Sequence, residues 1–341
     1  MLIVDTKKRI RIILSLAAFL LLAILLWKLD IRHILSVLND ADLFFLFLSF
    51  SIMGLFYLVW NYKWFVLTRR LESRVAYWTL LPMLFASNFV NVSAPGGGFG
   101  GEPLRASLLA KKYGKKRTLY FAANIVDKSV NTFVFLVLLL PSLFFVLFFM
   151  TISSPVKHLI GFFILLVIVL VVAGVVVRRK IDHTLLPRLL RAIYFFKLFS
   201  FMRKRFRTFS SFENFFVQRL HLFVTTFSSL VSKKQVIFGD LFLGVVQWLV
   251  RYLVLYFVFV ALHFPISLLF VICAVNVSYF VSMVSFIPGG FGVYETIMIG
   301  LYASFGIPAV IAASATLVER FIYYFYGLII GYLCLVGVER S

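Results

Sequence analysis

The sequence predicts an all-α, polytopic membrane protein with about six full crossings plus two re-entrant broken-helix hairpins related as an inverted repeat. Three observations predict it. Of 341 residues, 62% are hydrophobic and 14% charged, with a mean hydropathy of +1.03, whereas soluble domains carry roughly a quarter charged residues. Lys and Arg gather in four clusters separated by apolar runs. A proline–glycine motif occurs twice, about 193 residues apart, and each copy is followed by an acid–base dipeptide.

Apolar runs occupy residues 12–27, 43–60, 133–150, 158–177, 241–262, 266–287 and 321–338, several of them near the ~20 residues that span hydrocarbon. The first follows a basic N-terminus as a secretion signal would. Its length, and its end at Trp27 and Lys28 with no small-residue cleavage site, favour an uncleaved anchor. Basic residues mark the cytoplasmic side, so the clusters at Lys7 to Arg11, Lys63 to Arg74, Arg105 to Arg117 and 178–234 are all placed there. The crossings then follow: 12–29 outward, 43–62 inward, 118–140 outward, 157–177 inward, 236–262 outward and 308–337 inward. That leaves 75–104 to enter and exit on one side. Residues 1–341 form a single membrane domain in this scheme, in the plasma membrane of a prokaryote, with both termini cytoplasmic.

Residues 178–234 carry thirteen basic residues against two acids, interleaved with phenylalanines such as Phe195, Phe206 and Phe216. The segment reads as cytoplasmic interfacial helices on anionic headgroups, each base contributing about 1 kcal/mol. A topology signal and no more also accounts for the charge. Nothing in it resembles a nucleic-acid recognition module, so no nucleic-acid partner is expected. Cys273 and Cys334 lie in apolar runs and the five histidines are scattered. Neither a disulfide framework, a metal site nor a cofactor is expected from them.

The duplicated motifs are Pro95-Gly96-Gly97-Gly98-Phe99-Gly100-Gly101-Glu102 and Pro288-Gly289-Gly290-Phe291-Gly292-Val293-Tyr294-Glu295. Downstream, Asn124, Asp127, Lys128 and Asn131 are matched by Thr316, Glu319, Arg320 and Tyr323; upstream, Trp60 to Lys63 is echoed by Trp248 to Arg251. The first repeat is therefore placed at 43–140 and the second at 236–337. An odd number of crossings between them inverts the second copy. Proline ends or kinks a helix, and glycine admits the positive φ of a tight reversal. The freed backbone groups must then face protein or a wet cavity. Consecutive N–H groups before a helix can form an anion nest, and close packing of two half-helices explains the same glycines.

Six charges fall within or beside apolar segments: Asp127, Lys128, Arg251, Glu295, Glu319 and Arg320. Each costs roughly 2.5–3.5 kcal/mol there, so partners are expected. Asn124, Asp127, Lys128 and Asn131 share one helical stripe. Adjacent residues diverge on a helix, so Asp127 and Lys128 should pair with other helices or with a ligand. Glu102 and Glu295 are expected to meet Lys128, Arg251 or Arg320 across the centre. Arg105 could pair with Glu102 or touch phosphate. The set reads as a structural ion-pair network or as a headgroup cavity, with proton or cation coupling through Glu102 or Glu295 as a third role.

With Asn91, Pro95, Gly96, Gly97, Gly100, Glu102, Pro103 and Arg105, then Pro288, Gly289, Gly290, Gly292 and Glu295, the sequence resembles the flippase-like family related to the transmembrane region of lysylphosphatidylglycerol synthase. The resemblance implies movement of lipid between leaflets. It runs from about residue 10 to 337, and neither the soluble aminoacyl-transferase domain that follows this region in the synthase nor synthase chemistry is expected. The function expected is a translocase for a phospholipid or polyprenyl-phosphate-linked lipid, with anionic membrane lipids as partners. The alternative is a non-transporting membrane partner that docks a glycosyltransferase or lipid-modifying enzyme through 178–234. With no catalytic His, Cys or metal set in the sequence, an enzyme is not expected.

Overall fold

The computed structural model describes residues 31–93, 100–149, 161, 208–284 and 287–340. Every regular element among them is helical. Residues up to 151 and from 229 onward form one compact unit, and residues 152–228 a second.

In the first unit, α1 (Ile31–Asn39) precedes α2 (Leu43–Arg69). Asp42 sets the start of α2: its carboxylate accepts from the Phe44 N–H and its own N–H donates to the Ala261 carbonyl, both at 2.8 Å. Then come α3 (Tyr77–Ser93), α4 (Gly101–Tyr113) and α5 (Arg117–Phe149). The second unit contributes most of α6 (Phe209–Val231), where the Arg219 guanidinium lies 3.9 Å over the Phe215 ring. Of the basic segment expected at 178–234, residues 178–207 lie outside the described set. The chain returns through α7 (Lys234–Ala261), α8 (Leu268–Val284), a 3-10 turn at Pro288–Gly290, α9 (Val293–Ser304) and α10 (Ala309–Tyr324). A π-helical turn (Phe325–Ile330) carries α10 into α11 (Gly331–Arg340). The succession long helix, shorter helix, break, short helix, long helix thus occurs twice, with residues 94–99 of the first break outside the described set.

Among the described residues, four helices are long and apolar enough to cross a membrane: Leu43–Arg69, Arg117–Phe149, Lys234–Ala261 and Ala309–Val338. They coincide with four of the expected crossings. The other two, at 12–29 and 157–177, lie outside the described residues except for residue 161. Helix α5 does not stop at 140 as expected but passes through Pro141. Side chains serve the backbone there: the Ser142 hydroxyl and the Asn276 amide both donate to the Leu138 carbonyl, at 2.8 and 3.2 Å. Helices α3, α4, α8 and α9 have 17, 13, 17 and 12 residues. At 1.5 Å per residue they reach about 25, 20, 25 and 18 Å, each short of the ~30 Å hydrocarbon core.

Helices α2 and α7 run antiparallel along their whole length. Asp42 meets Ala261, Ser49 Oγ donates to the Val254 carbonyl at 2.7 Å, and Lys63 reaches Asp240. The remaining helices interlock across the two copies. Helix α3 packs on the end of the second copy, where a Cβ on Gly331 would sit 2.9 Å from the Phe85 carbonyl oxygen. Helix α8 packs on the end of the first: Phe135 is edge-on to Tyr279, Asn276 Nδ2 donates to Ser142 Oγ at 3.0 Å, and Phe145 meets Phe270. In lipid no hydrophobic drive holds helices together, so close approach at glycine and hydrogen bonds across helices carry the packing. Large apolar side chains such as Phe47, Phe148 and Phe242 point outward instead.

Lys63 and Arg105, counted above among the cytoplasmic charges, are 0% and 1% exposed. Their basicity is a property of the interior rather than a topology mark, because buried carboxylates hold them. Glu72 and Lys115, by contrast, tie the loop before α3 to the turn before α5 at 3.2 Å. The Arg74 N–H and the Lys115 ammonium hold the Glu72 carboxyl below the usual carboxylate range. A lowered folded-state value makes this tie a stabilising contact above the ordinary carboxylate range that is lost as pH falls through the folded value. Limited proteolysis of residues 70–76 should therefore be slow at neutral pH and faster in acid, and Glu72→Gln should remove the difference.

Gly101 has no room for a side chain, since a Cβ would lie 2.2 Å from the Ser87 carbonyl oxygen. Gly337, inside α11, has nothing within 4 Å of that position. Gly101→Ala should lower the thermal midpoint in detergent by the equivalent of ~3 kcal/mol or prevent folding. Gly337→Ala should raise stability by ~0.5–1 kcal/mol.

Candidate functional site

Charges at the centre of the first unit pair in a pattern that both copies share. Lys128 on α5 lies 3.6 Å from Glu102 on α4, and Arg320 on α10 donates through Nε to Glu295 on α9. Asp127 on α5 takes Lys63 of α2 at 3.3 Å, and Glu319 on α10 takes Arg251 of α7. Each acid–base dipeptide thus sends its base to the short helix after the break and its acid to the antiparallel α2–α7 pair. The divergence of adjacent side chains on a helix makes this split geometrically available.

Two charges break the symmetry. Arg105 places Nη1 3.6 Å from Asp127 and stacks its guanidinium 4.2 Å from the Trp64 ring, whereas the matching position on α9 is Met298. Asp240 faces Lys63 at 3.8 Å, whereas the matching position on α2 is Ile52. Five bases (Lys63, Arg105, Lys128, Arg251, Arg320) then meet five acids (Glu102, Asp127, Asp240, Glu295, Glu319). The cluster is neutral with every group ionised, which limits the cost of placing it in a low-dielectric interior.

A cavity of ≈ 160 Å³ opens among these groups. Four of the bases line it (Arg105, Lys128, Arg251 and Arg320) with only two of the acids, Glu102 and Asp127. The other acids stand behind the wall, so the surface that a ligand meets is positive. Aromatic rings complete it, among them Tyr57, Trp60, Trp248, Tyr279, Tyr294 and Tyr323. Arg105 Nε and Nη2, Arg251 Nη1, Trp248 Nε1 and Tyr294 Oη lack hydrogen-bond partners among the described residues. Buried donors without partners are costly. An acceptor-rich anion, or water, would satisfy them.

The second break forms one edge of the cavity. Gly289 and Gly290 sit at φ +60 and +66 and line it; a Cβ on Gly290 would be 2.7 Å from Ser282 Cβ. Arg320 holds the break in place through Nη2, which donates to the Gly289 carbonyl at 2.7 Å. Its guanidinium packs against Tyr294, Tyr324 and Tyr323 at 4.3, 4.9 and 5.0 Å.

The family model described as the lysylphosphatidylglycerol synthase transmembrane region matches residues 10–331. The chain belongs to this family. Within the lysylphosphatidylglycerol synthase transmembrane-region family, a UPF0104 membrane protein of Methanothermobacter thermautotrophicus is 28% identical over 285 residues, 81% of this chain and 78% of its own length. Another, from Pyrococcus horikoshii, is 25% identical over 317 residues, 91% of this chain and 92% of its own. A phosphatidylglycerol lysyltransferase of Staphylococcus aureus is 34% identical over 85 residues, 25% of this chain and 10% of its own. These similarities establish a multi-pass membrane protein of a family with archaeal and bacterial members.

Of the residues singled out from the sequence, Asn91, Glu102, Arg105, Asp127, Lys128, Asn131, Arg251, Gly289, Gly290 and Arg320 line the cavity. Asn124, Gly100, Gly292, Glu295 and Glu319 do not. Each has a structural reason. Asn124 bridges helices, donating to the Glu102 carbonyl and accepting from Trp64 Nε1. Gly100 precedes α4 in right-handed conformation, φ −75; the steric need for glycine falls on Gly101. The Glu295 carboxylate turns back to cap the Gly292 N–H at 2.6 Å as well as taking Arg320. Glu319 stands behind Arg251. Gly96 and Gly97 lie outside the described residues.

Glu102 and Glu295 do take two of the expected bases, Lys128 and Arg320, but not across the centre: each pairs within its own copy, because the base of the dipeptide lies on the helix that follows it. Arg105 chooses Asp127 over Glu102. Sequence reading missed Asp240, Gln247 and the aromatic wall; an acid seven residues into an apolar helix was the available signal for Asp240.

Lys63 is the hub of the asymmetric side, 0% exposed between two carboxylates. Lys63→Met should destabilise the protein by ~3–5 kcal/mol, because two buried acids then lose their ammonium. Adding Asp240→Asn in that background should restore ~0.5–3 kcal/mol. Thermal unfolding of the four proteins of this cycle in detergent measures the coupling.

Proposed function

We propose that this protein is a lipid translocase that moves a phospholipid or polyprenyl-phosphate-linked lipid between leaflets, with the headgroup in the central cavity and the acyl chains in the bilayer. The observation that carries the reading is the cation-rich wall of the cavity, where donors of Arg105 and Arg251 have no hydrogen-bond partner among the described residues. A phosphodiester supplies oxygens on several sides, and guanidinium groups match it in geometry as well as charge. The aromatic rings offer a cover for the glycerol or isoprenoid stem. No step needs a covalent intermediate, so the protein is read as a carrier and not an enzyme.

In the same proposal α3–α4 and α8–α9 are re-entrant hairpins, each too short in its parts to cross. The antiparallel α2 and α7 give the two copies opposite senses, so the hairpins enter from opposite faces. With the termini cytoplasmic, the first hairpin faces the cytoplasm and the second the outside. The docking alternative rests on the basic segment, of which 178–207 lie outside the described residues.

The name of the staphylococcal relative makes phosphatidylglycerol the first lipid to try. Reconstituted protein should bring inner-leaflet fluorescent phosphatidylglycerol within reach of an external quencher faster than protein-free liposomes do. Arg105→Lys keeps the charge but loses the planar fork, and should slow the movement at least ~10-fold. Rates equal to protein-free controls for phosphatidylglycerol and for polyprenyl phosphates alike would sink the proposal.

A further inference from the structure

Asp240 is 3% exposed, and both of its carboxylate oxygens lack a hydrogen-bond partner among the described residues. Its nearest cation, Lys63 Nζ at 3.8 Å, lies closer to Asp127, at 3.3 Å. The charged groups that face it are Lys63 from α2 and Asp127 from α5, with Arg105 beyond Asp127. Two carboxylates therefore share one ammonium, an arrangement that disfavours the second negative charge. Every other acid of the cluster has a cation of its own. The first copy has an isoleucine, Ile52 on α2, at the matching place.

The charge balance gives this group a task. The empty cluster is neutral with all ten groups ionised. A phosphodiester entering the cavity adds one negative charge, which a low-dielectric interior penalises unless it is offset. One proton offsets it, and the carboxylate least held by its surroundings is where that proton binds. Asp240 sits behind the wall, one residue (Asp127) away from the lining, so it senses the ligand's charge without touching it.

We propose that Asp240 is a proton-binding site that takes up one proton from solution when an anionic lipid headgroup occupies the cavity, coupling translocation to pH. The inference rests on the headgroup reading above. The proton adds to a carboxylate oxygen of Asp240, Lys63 is left to Asp127 alone, and the loaded site is neutral again. By reciprocity the lipid raises the affinity for the proton as much as the proton raises that for the lipid. Lipid affinity therefore falls as pH rises, by about tenfold per pH unit on the alkaline side.

The test uses the purified full chain in detergent with short-chain phosphatidylglycerol as probe. Titration calorimetry in two buffers of different ionisation enthalpy counts protons taken up, across a range of pH. Wild type should take up about one proton per lipid. Asp240→Asn should bind with no uptake and an affinity flat in pH, while Asp240→Glu should keep both the uptake and the pH dependence. Binding by wild type without proton uptake would overturn the inference whatever the variants do. So would uptake that survives Asp240→Asn, or that is abolished by Glu102→Gln instead. If neither phosphatidylglycerol nor any other anionic phospholipid binds, the headgroup reading falls and takes this inference with it.

Discussion

Ion pairing between helices distant in sequence is the constraint on which this structure depends. Lipid offers no solvation to a charge and little drive for helices to associate. The buried bases and acids must therefore meet one another, and meeting fixes where α2, α5, α7 and α10 lie. The pairs join α2 to α5 and α7 to α10, and Asp240 draws α7 to α2 through Lys63 as well. Once those helices are set, the short helices follow, because Glu102 and Glu295 tie them to the bases of the two dipeptides. The same groups that hold the frame also surround the cavity, so the frame and the cavity lining draw on one set of side chains.

Within that frame the two copies have diverged in kind. The break of the second is closed: Glu295 satisfies both Arg320 and the backbone of Gly292, and Arg320 grips the carbonyl of Gly289. Loose ends lie elsewhere in both copies: Arg105 of the first has two nitrogens, and Asp240 of the second two oxygens, without hydrogen-bond partners among the described residues. The edge that holds its shape and the groups with unmet bonding capacity are thus kept apart.

Much of this was legible in the sequence. The apolar runs gave the long helices, and the twin glycine motifs with their acid–base dipeptides gave the recurrence of elements and several of the charges that line the cavity. Spacing of 3 and 4 residues identified the polar stripe of Asp127 and Lys128. The pairing did not follow from it, because a stripe says which face is polar but not which helix comes to meet it. Lys63 shows the limit well: a lysine after an apolar run reads as a surface charge, and only the approach of α7 reveals that it is buried. Pro141 shows a second limit, since whether a proline ends a helix depends on the side chains, here Ser142 and Asn276, that are folded against it. Gly101 shows a third, because its need for glycine comes from contact with Ser87 and not from its own φ.

The crossed arrangement of the arms has a bearing on how such a protein could move. Helix α3 of the first copy lies on the tail of the second at Gly331, and α8 of the second lies on the tail of α5. Neither copy is therefore a free-standing body, and a rocking of one whole copy against the other would tear both seams. The packed bodies are hybrids, each built from the short helices of one half and the final helix of the other, so the natural dividing seam runs across the sequence repeat instead of along it.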